Sequence, residues 1–106
     1  MQIRGGMNEL MRQAARMQRK IEEKKTEVGD REVTGTAVGD KAKATVTYSR
    51  KLARLEIDPD FLKAEGIDLA LDGACAAVNA ALEAADKAME AEIGKVTGGM
   101  KIPGVT

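Results

Sequence analysis

The sequence of 106 residues contains no histidine and no tryptophan, and it has one cysteine, one tyrosine and one phenylalanine. Without histidine, no imidazole is present to activate Cys75 as a nucleophile. One cysteine alone cannot build a zinc site or form an intrachain disulfide, which fits a reducing compartment. Tyr48 and Phe61 are too few and too far apart to stack the bases of a single strand. We therefore predict that the chain is not an enzyme and has no metal ion or cofactor.

Long apolar runs and nucleotide-binding glycine patterns are also missing. No stretch approaches the roughly 18 apolar residues of a membrane helix. Asn8, Glu9 and Arg12 interrupt any hydrophobic region of a signal peptide. The glycines match neither GxGxxG nor GxxxxGK[ST], so they are assigned to turns and helix ends. These absences predict a cytoplasmic protein with no membrane contact and no small-molecule substrate.

The chain carries 17 basic and 17 acidic residues, so its formal net charge is zero. The charge is unevenly distributed, because Glu9 is the only acid in the first 20 residues, among Arg4, Arg12, Arg16, Arg19 and Lys20. Such asymmetry indicates an electrostatic binding surface at one end of the protein. The apolar residues are largely alanine, which buries little area, so we expect a second copy of the chain to complete the core.

Residues 7–28 show apolar positions at spacings of three and four, which predicts a long helix with a seam for another helix. The seam consists of Met7, Leu10, Ala14, Met17, Ile21 and Val28, with Lys24 as its one polar interruption. At about 100° per residue, a row of cations falls on the opposite side of the helix. This row, the basic stripe, consists of Arg12, Arg16, Arg19 and Lys20. Asn8 is the expected N-cap of the helix.

The apolar period changes to two in the middle of the chain, which predicts strands at residues 33–38, 41–48 and 53–57. In the third strand, Ala53, Leu55 and Ile57 are expected to face inward. A narrow antiparallel meander of this kind needs helices over its apolar face. The alanine-rich residues after Asp68, its expected N-cap, predict a second long helix that ends at Gly98. Its predicted seam, in which Cys75 is expected to be buried, contains Leu71, Cys75, Val78, Leu82, Ala85 and Met89.

The predicted fold class is therefore α+β, with a long helix, a three-stranded antiparallel meander and a second long helix. Residues 7–97 form one domain, between a flexible lead-in at residues 1–6 and a mobile tail at residues 98–106. The order of the elements allows the free ends of the two helices to lie together, away from the sheet. A dimer would then carry two helical arms.

Four segments of the chain resemble a known protein family. They are residues 7–14 (MNELMRQA) followed by Met17 and Gln18, residues 33–35 (VTG), residues 55–59 (LEIDP) followed by Leu62, and residues 99–104 (GMKIPG). In their order and separation, which cover nearly the whole chain, they resemble the YbaB/EbfC family of bacterial nucleoid-associated DNA-binding proteins. The resemblance implies a homodimer with a tweezer-like outline that binds DNA through its two helical arms.

The basic stripe has more than one interpretation. It is either a phosphate-contacting face, a solvated helix face, or a face neutralised by Glu83, Asp86 and Glu90 of the second helix. The methionines suggest either an adaptable protein-binding groove or core and dimer contacts. With the resemblance, the candidate DNA-binding residues are Arg4, Arg12, Arg16, Arg19, Lys20, Lys95 and Lys101. Four other basic residues are assigned to the solvated side of the sheet: Lys41, Lys43, Arg50 and Arg54.

Taken together, these features predict a nucleoid-associated protein that binds double-stranded DNA with low sequence specificity through the basic arms of a homodimer. The alternative belongs to another class. It is a dimeric adaptor that recruits a replication or recombination protein and binds DNA weakly or not at all, which the net charge of zero favours.

Overall fold

The computed structural model describes residues 3–98, with side chains from residue 6 onward. Helix α1 (Ile3–Val28) is followed by strands β1 (Glu32–Ala37), β2 (Ala42–Thr47) and β3 (Leu52–Ile57), and helix α2 (Pro59–Thr97) completes the chain. The strands form an antiparallel sheet in the order β1-β2-β3. This order confirms the predicted α+β class and meander. No helix of the described residues is long and apolar enough to cross a bilayer.

Helix α1 begins four residues before the predicted start, so the lead-in is helical from Ile3 and Asn8 lies inside the helix rather than at its N-cap. A Cβ at Gly6 would have no neighbour within 4 Å, so no packing contact opposes the helix at that glycine. The rest of the predicted lead-in, residues 1–2, lies outside the described residues. Ile21 and Val28 are buried, whereas almost every side chain from residue 6 to residue 20 is exposed. We call residues 3–20 the arm.

Helix α2 begins ten residues earlier than the sequence suggested, because its N-cap is Asp58 and not Asp68. The Asp58 carboxylate accepts hydrogen bonds from the backbone N–H groups of Asp60 and Phe61, at 2.8 and 3.1 Å, and Pro59 supplies a favoured first helical residue. The helix is interrupted at Gly66, whose φ of 87° is readily available only to glycine. Its long second segment thus starts next to the predicted cap, Asp68. Gly98 ends it in the left-handed conformation, as predicted.

One face of the sheet is apolar and lies under α2. The register pairs Gly35 with Ala44 and Ala44 with Leu55, so these three residues share that face. A Cβ added to Gly35 would lie 2.2 Å from the backbone nitrogen of Ala81, which shows how closely β1 and α2 approach. This closeness requires small residues on the helix, and the buried face of α2 includes Ala70, Gly73, Ala74, Ala77, Ala81 and Ala85.

The buried face of α2 therefore differs from the predicted seam. Of the predicted seam, Ala85 is buried, but Leu71 and Cys75 are exposed, and Val78, Leu82 and Met89 are only half-buried. The prediction that Cys75 is buried is wrong for the single chain, because the alanines, and not the larger side chains, face the sheet. Ala53 and Leu55 of β3 are also exposed rather than inward, since α2 lies mainly over β1 and β2.

Candidate nucleic-acid interface

The whole molecule, with the arm included, measures 75 × 20 × 17 Å. The arm extends from its body. Beyond Ile21, the first buried residue of α1, the arm continues for about 27 Å at 1.5 Å per residue. Met7, Leu10 and Ala14 of the predicted seam are exposed, and Met17 is half-buried. Within residues 3–98, the arm is therefore accessible on all sides over most of its length.

Most of the basic stripe lies on the side of the arm opposite the buried residues. Ile21 and Val28 fix which side of α1 faces α2, and the helical period places Arg12, Arg16 and Arg19 roughly opposite that side and Lys20 at its flank. Each of the four cations is exposed. A row of exposed Arg and Lys side chains along one side of a projecting helix suits contact with successive phosphates of a duplex.

Two of the four cations share one acidic neighbour. Arg12 Nη1 lies 3.4 Å from Glu9 Oε1, and Arg16 Nη2 lies 3.6 Å from Glu9 Oε2. Both guanidinium side chains are more than half exposed, at 68% and 53%, and ion pairs this exposed are weak. Arg19 and Lys20 form no ion pair within the part of the chain that the structure describes. The stripe thus keeps most of its positive charge.

The acids that the sequence offered as neutralising partners of the stripe lie elsewhere. Asp86 binds Arg50 at the β2–β3 turn, and Glu83 lies 3.5 Å from Lys87 on its own helix. Neither is paired with the arm. Of the three interpretations of the stripe, neutralisation by Glu83 or Asp86 has no support among the described contacts.

The excess of positive charge on α1 ends with the arm. Below the arm, the exposed surface of the helix carries Glu22, Glu23 and Glu27, which form a shallow open groove with Arg19 and Thr26. Glu22 lies 3.6 Å from Lys25 and Glu27 lies 3.1 Å from Lys24, so residues 21–28 carry a net charge of only −1. A polyanion is therefore attracted more strongly to the arm than to the next turns of the same helix.

The other predicted DNA-binding cations are not joined to the stripe. Lys95 Nζ lies 2.9 Å from Glu92 Oε2, near the end of α2. Lys101 and the rest of the predicted tail, residues 99–106, lie outside the described residues, as does the side chain of Arg4. Three of the four basic residues assigned to the sheet are paired with acids: Lys41 lies 3.7 Å from Asp58, Arg54 lies 3.0 Å from Glu32, and Arg50 binds Asp86.

Sequence reasoning missed Glu92, which joins α1 to α2. Its side chain is only 11% exposed and lies near three cations, with N–O distances of 2.9 Å to Lys95, 3.6 Å to Arg31 and 4.0 Å to Lys24. The hydrogen bond from Lys95, aided by the charges of all three cations, holds the pKa of Glu92 below its usual value against the effect of burial. Lys24 at a seam position was the signal, because a half-buried lysine needs an acidic partner.

The described residues offer few features that suit a small-molecule ligand or a metal ion. A half-open groove of about 540 Å³ lies between the β2–β3 turn and α2, with an apolar surface from Tyr48, Met89 and Ile93. Its charged residues include Arg50 and Asp86, which bind each other. Within residues 3–98, no three Cys, Asp or Glu side chains gather as a metal ion requires.

A small α+β fold with a projecting, positively charged helical arm defines a class of protein suited to contact a polyanion. The model of the YbaB/EbfC DNA-binding family matches residues 4–100. The chain belongs to this family, which confirms the resemblance in the sequence. The family is one of DNA-binding proteins and not a class of enzymes.

Named relatives agree with this assignment, and a solved structure has the same fold. The chain is 32% identical to a nucleoid-associated protein of Clostridium acetobutylicum, over 95% of this chain and 90% of that one. It is 35% identical to one from Pelotomaculum thermopropionicum, over 95% and 96% of the two chains. A crystal structure of an uncharacterized Helicobacter pylori protein has the same fold, with a TM-score of 0.65 at 16% identity, covering 84% of this chain and 94% of that one.

Proposed function

We propose that this chain is a nucleoid-associated protein of the bacterial cytoplasm that binds double-stranded DNA as a homodimer, with little sequence preference, through the arm. The observation that carries the proposal is the basic stripe, four exposed cations on a helix that extends away from the body. The names of the family and of the relatives support DNA as the polyanion.

The mechanism is neutralisation of phosphates with release of their counterions. The basic stripe supplies positive charge along one side of the helix. Each phosphate that it neutralises makes the slope of log affinity against log salt more negative by about 0.9. Such contacts position a protein on the duplex without reading its sequence. Low specificity follows from this mode of binding.

Homodimer formation is supported by an apolar surface that the single chain leaves uncovered. On β3, Leu52 and Leu55 are 51% and 44% exposed, and on α2, Leu71 is 56% exposed. Met89 lines the groove at the β2–β3 turn, so the α2 stripe that contains Leu71, Cys75 and Met89 runs along the side of α2 that faces β3. A second copy placed against this surface would bury apolar residues that one small domain cannot cover.

Binding of a duplex mixture of unrelated sequences at several salt concentrations tests the DNA contact. The variant Arg12→Ala/Arg16→Ala/Arg19→Ala should bind all sequences more weakly, with a shallower salt dependence. The matched control, Lys43→Ala/Lys51→Ala/Lys63→Ala, removes the same charge away from the arm and should bind nearly as the parent does. An unchanged salt slope in the arm variant would exclude the stripe.

Sedimentation velocity tests the dimer. Leu55→Glu combined with Leu71→Glu should give a folded monomer or a much weaker dimer, whereas Thr36→Glu, on the opposite face of the sheet, should leave the dimer intact. A parent protein that sediments as a monomer at micromolar concentration would contradict this part of the proposal. The adaptor alternative would be favoured by a dimer with no measurable duplex affinity at low salt.

A further inference from the structure

Glu92 lies at the point where the arm meets the rest of the molecule. Its carboxylate is close to cations from three segments: Lys24 in α1, Arg31 in the connection to β1, and Lys95 in α2. Lys95, one turn further along α2, donates a hydrogen bond to Glu92 Oε2 and so holds the orientation of the carboxylate. The remaining attraction is directed at α1 and the residues just after it.

The apolar contact between the two helices is small, so it constrains the angle between them only in part. Ile21 and Val28 are the fully buried residues of α1, and hydrophobic contact is non-directional. The carboxylate of Glu92 lies 4.0 Å from Lys24, which also donates a hydrogen bond to Glu27, and 3.6 Å from Arg31. It therefore restrains α1 and the segment just after it at two points seven positions apart in the chain. A polar group within an apolar helix contact is a known means of fixing register.

We propose that Glu92 is a positioning residue, which sets the direction of the arm relative to the sheet and, through that direction, the affinity of the arm for DNA. The second part rests on the proposed function; the first does not. The arm acts as a lever, because it continues for about 27 Å beyond Ile21 at 1.5 Å per residue. A rotation of about 10° at Glu92 would therefore move the free end of the arm by about 5 Å, more than the axial rise between successive phosphates of one duplex strand (~3.4 Å).

The direction of the arm can be measured as a distance between two spin labels, at Gln13→Cys in the arm and Thr36→Cys on β1. Cys75 is exposed and is replaced by serine so that it takes no label. Labelled chains are mixed with an excess of unlabelled chains, so that only distances within one chain contribute. Glu92→Gln keeps the size of the side chain and removes its charge.

The matched control is Glu90→Gln. This residue is exposed, lies on the same helix and forms no ion pair within residues 3–98. The two variants have the same net charge. Glu92→Gln should shift or broaden the distance distribution by several ångström, and Glu90→Gln should leave it unchanged. A distribution for Glu92→Gln as narrow as that of the parent, and at the same distance, would overturn the proposal.

Duplex binding by the same two variants tests the second part. Each variant loses one negative charge, so a general electrostatic effect on DNA binding is equal in both. Glu92→Gln should nevertheless bind the duplex severalfold more weakly than Glu90→Gln. Equal affinities despite a changed arm distance would refute the role in DNA binding. If neither variant nor parent binds a duplex, the proposed function fails, while the distance measurement still decides the role of Glu92. Should Glu92→Gln not fold, Lys24→Gln removes the α1 side of the contact and takes its place.

Discussion

Gly35 is the residue at which a single added methyl group should be most damaging. Replacing it with alanine places a Cβ 2.2 Å from the Ala81 nitrogen and 2.7 Å from the Ala77 carbonyl oxygen. Both are backbone atoms of α2, so neither can rotate aside, and the helix itself must move from the sheet. Overpacking of a core costs about 1–3 kcal/mol, and the rigidity of these neighbours places Gly35→Ala at the upper end.

One effect acts in the opposite direction. Alanine restricts the unfolded chain more than glycine does, which stabilises the folded state by at most about 1 kcal/mol. The net loss for Gly35→Ala is therefore about 2 kcal/mol or more. For a domain near 100 residues this corresponds to a decrease in Tm of roughly 10 °C, at about 4–8 °C per kcal/mol.

Thermal unfolding followed by circular dichroism at one fixed chain concentration measures the change. Gly94→Ala is the matched control, since a Cβ there would have no neighbour within 4 Å and the residue lies inside α2. That substitution should leave stability unchanged or raise it by up to about 1 kcal/mol. If Gly35→Ala unfolds at the temperature of the parent protein, α2 and β1 are not in the close contact described above.

Further predictions concern three carboxylates. Asp58→Ala removes the N-cap of α2 and should lower the free energy of unfolding by about 1 kcal/mol in denaturant titration; no change would show that the helix start is otherwise held. Asp58 and Glu92 both have a pKa below their ordinary values of 3.8 and 4.5, the first mainly through the hydrogen bond from the Phe61 N–H and the second through Lys95. At these carboxylates the folded state binds fewer protons than the unfolded state does. Their contribution to stability is therefore complete above about pH 5 and is lost as the pH falls below 4.5. Denaturation midpoints at about pH 3 should be lower than at about pH 6. Glu9→Gln frees Arg12 and Arg16 from their shared carboxylate and should strengthen duplex binding at low salt; weaker binding in a fluorescence titration would contradict this.

The order of elements could be predicted because each has a clear period. Few topologies other than the observed one are compatible with the alternation of apolar and polar residues from Lys41 to Tyr48 and the three–four apolar spacing in residues 7–28. The positions of the basic stripe and of Ile21 on α1 follow from the helical period alone. The buried face of α2 could not be predicted by searching for its largest apolar residues. Where a helix lies close to a sheet, the smallest side chains of the helix face inward. In the sequence, this close approach is indicated by Gly35 in a strand together with the many alanines of α2.

The role of Glu92 was harder to foresee for a different reason. Its partners Lys24 and Arg31 are far away in sequence, and long charged side chains reach several alternative neighbours in a folded chain. The exposure of Leu55 likewise depends on how far α2 extends across the sheet, which no local pattern records. The start of α1 at Ile3 was missed because two consecutive glycines predict a flexible segment, whereas the helix continues through them and nothing packs against it at Gly6.

The alanine face of α2 has a thermodynamic consequence. Alanine and glycine have no rotamers to lose on burial, so the contact between α2 and the sheet forms without the side-chain conformational entropy loss that leucine or methionine would incur. The same contact gains little from transfer of apolar area out of water. A chain built in this way offsets a weak driving force with a small entropic penalty, and its heat capacity of unfolding per residue should be low for its length.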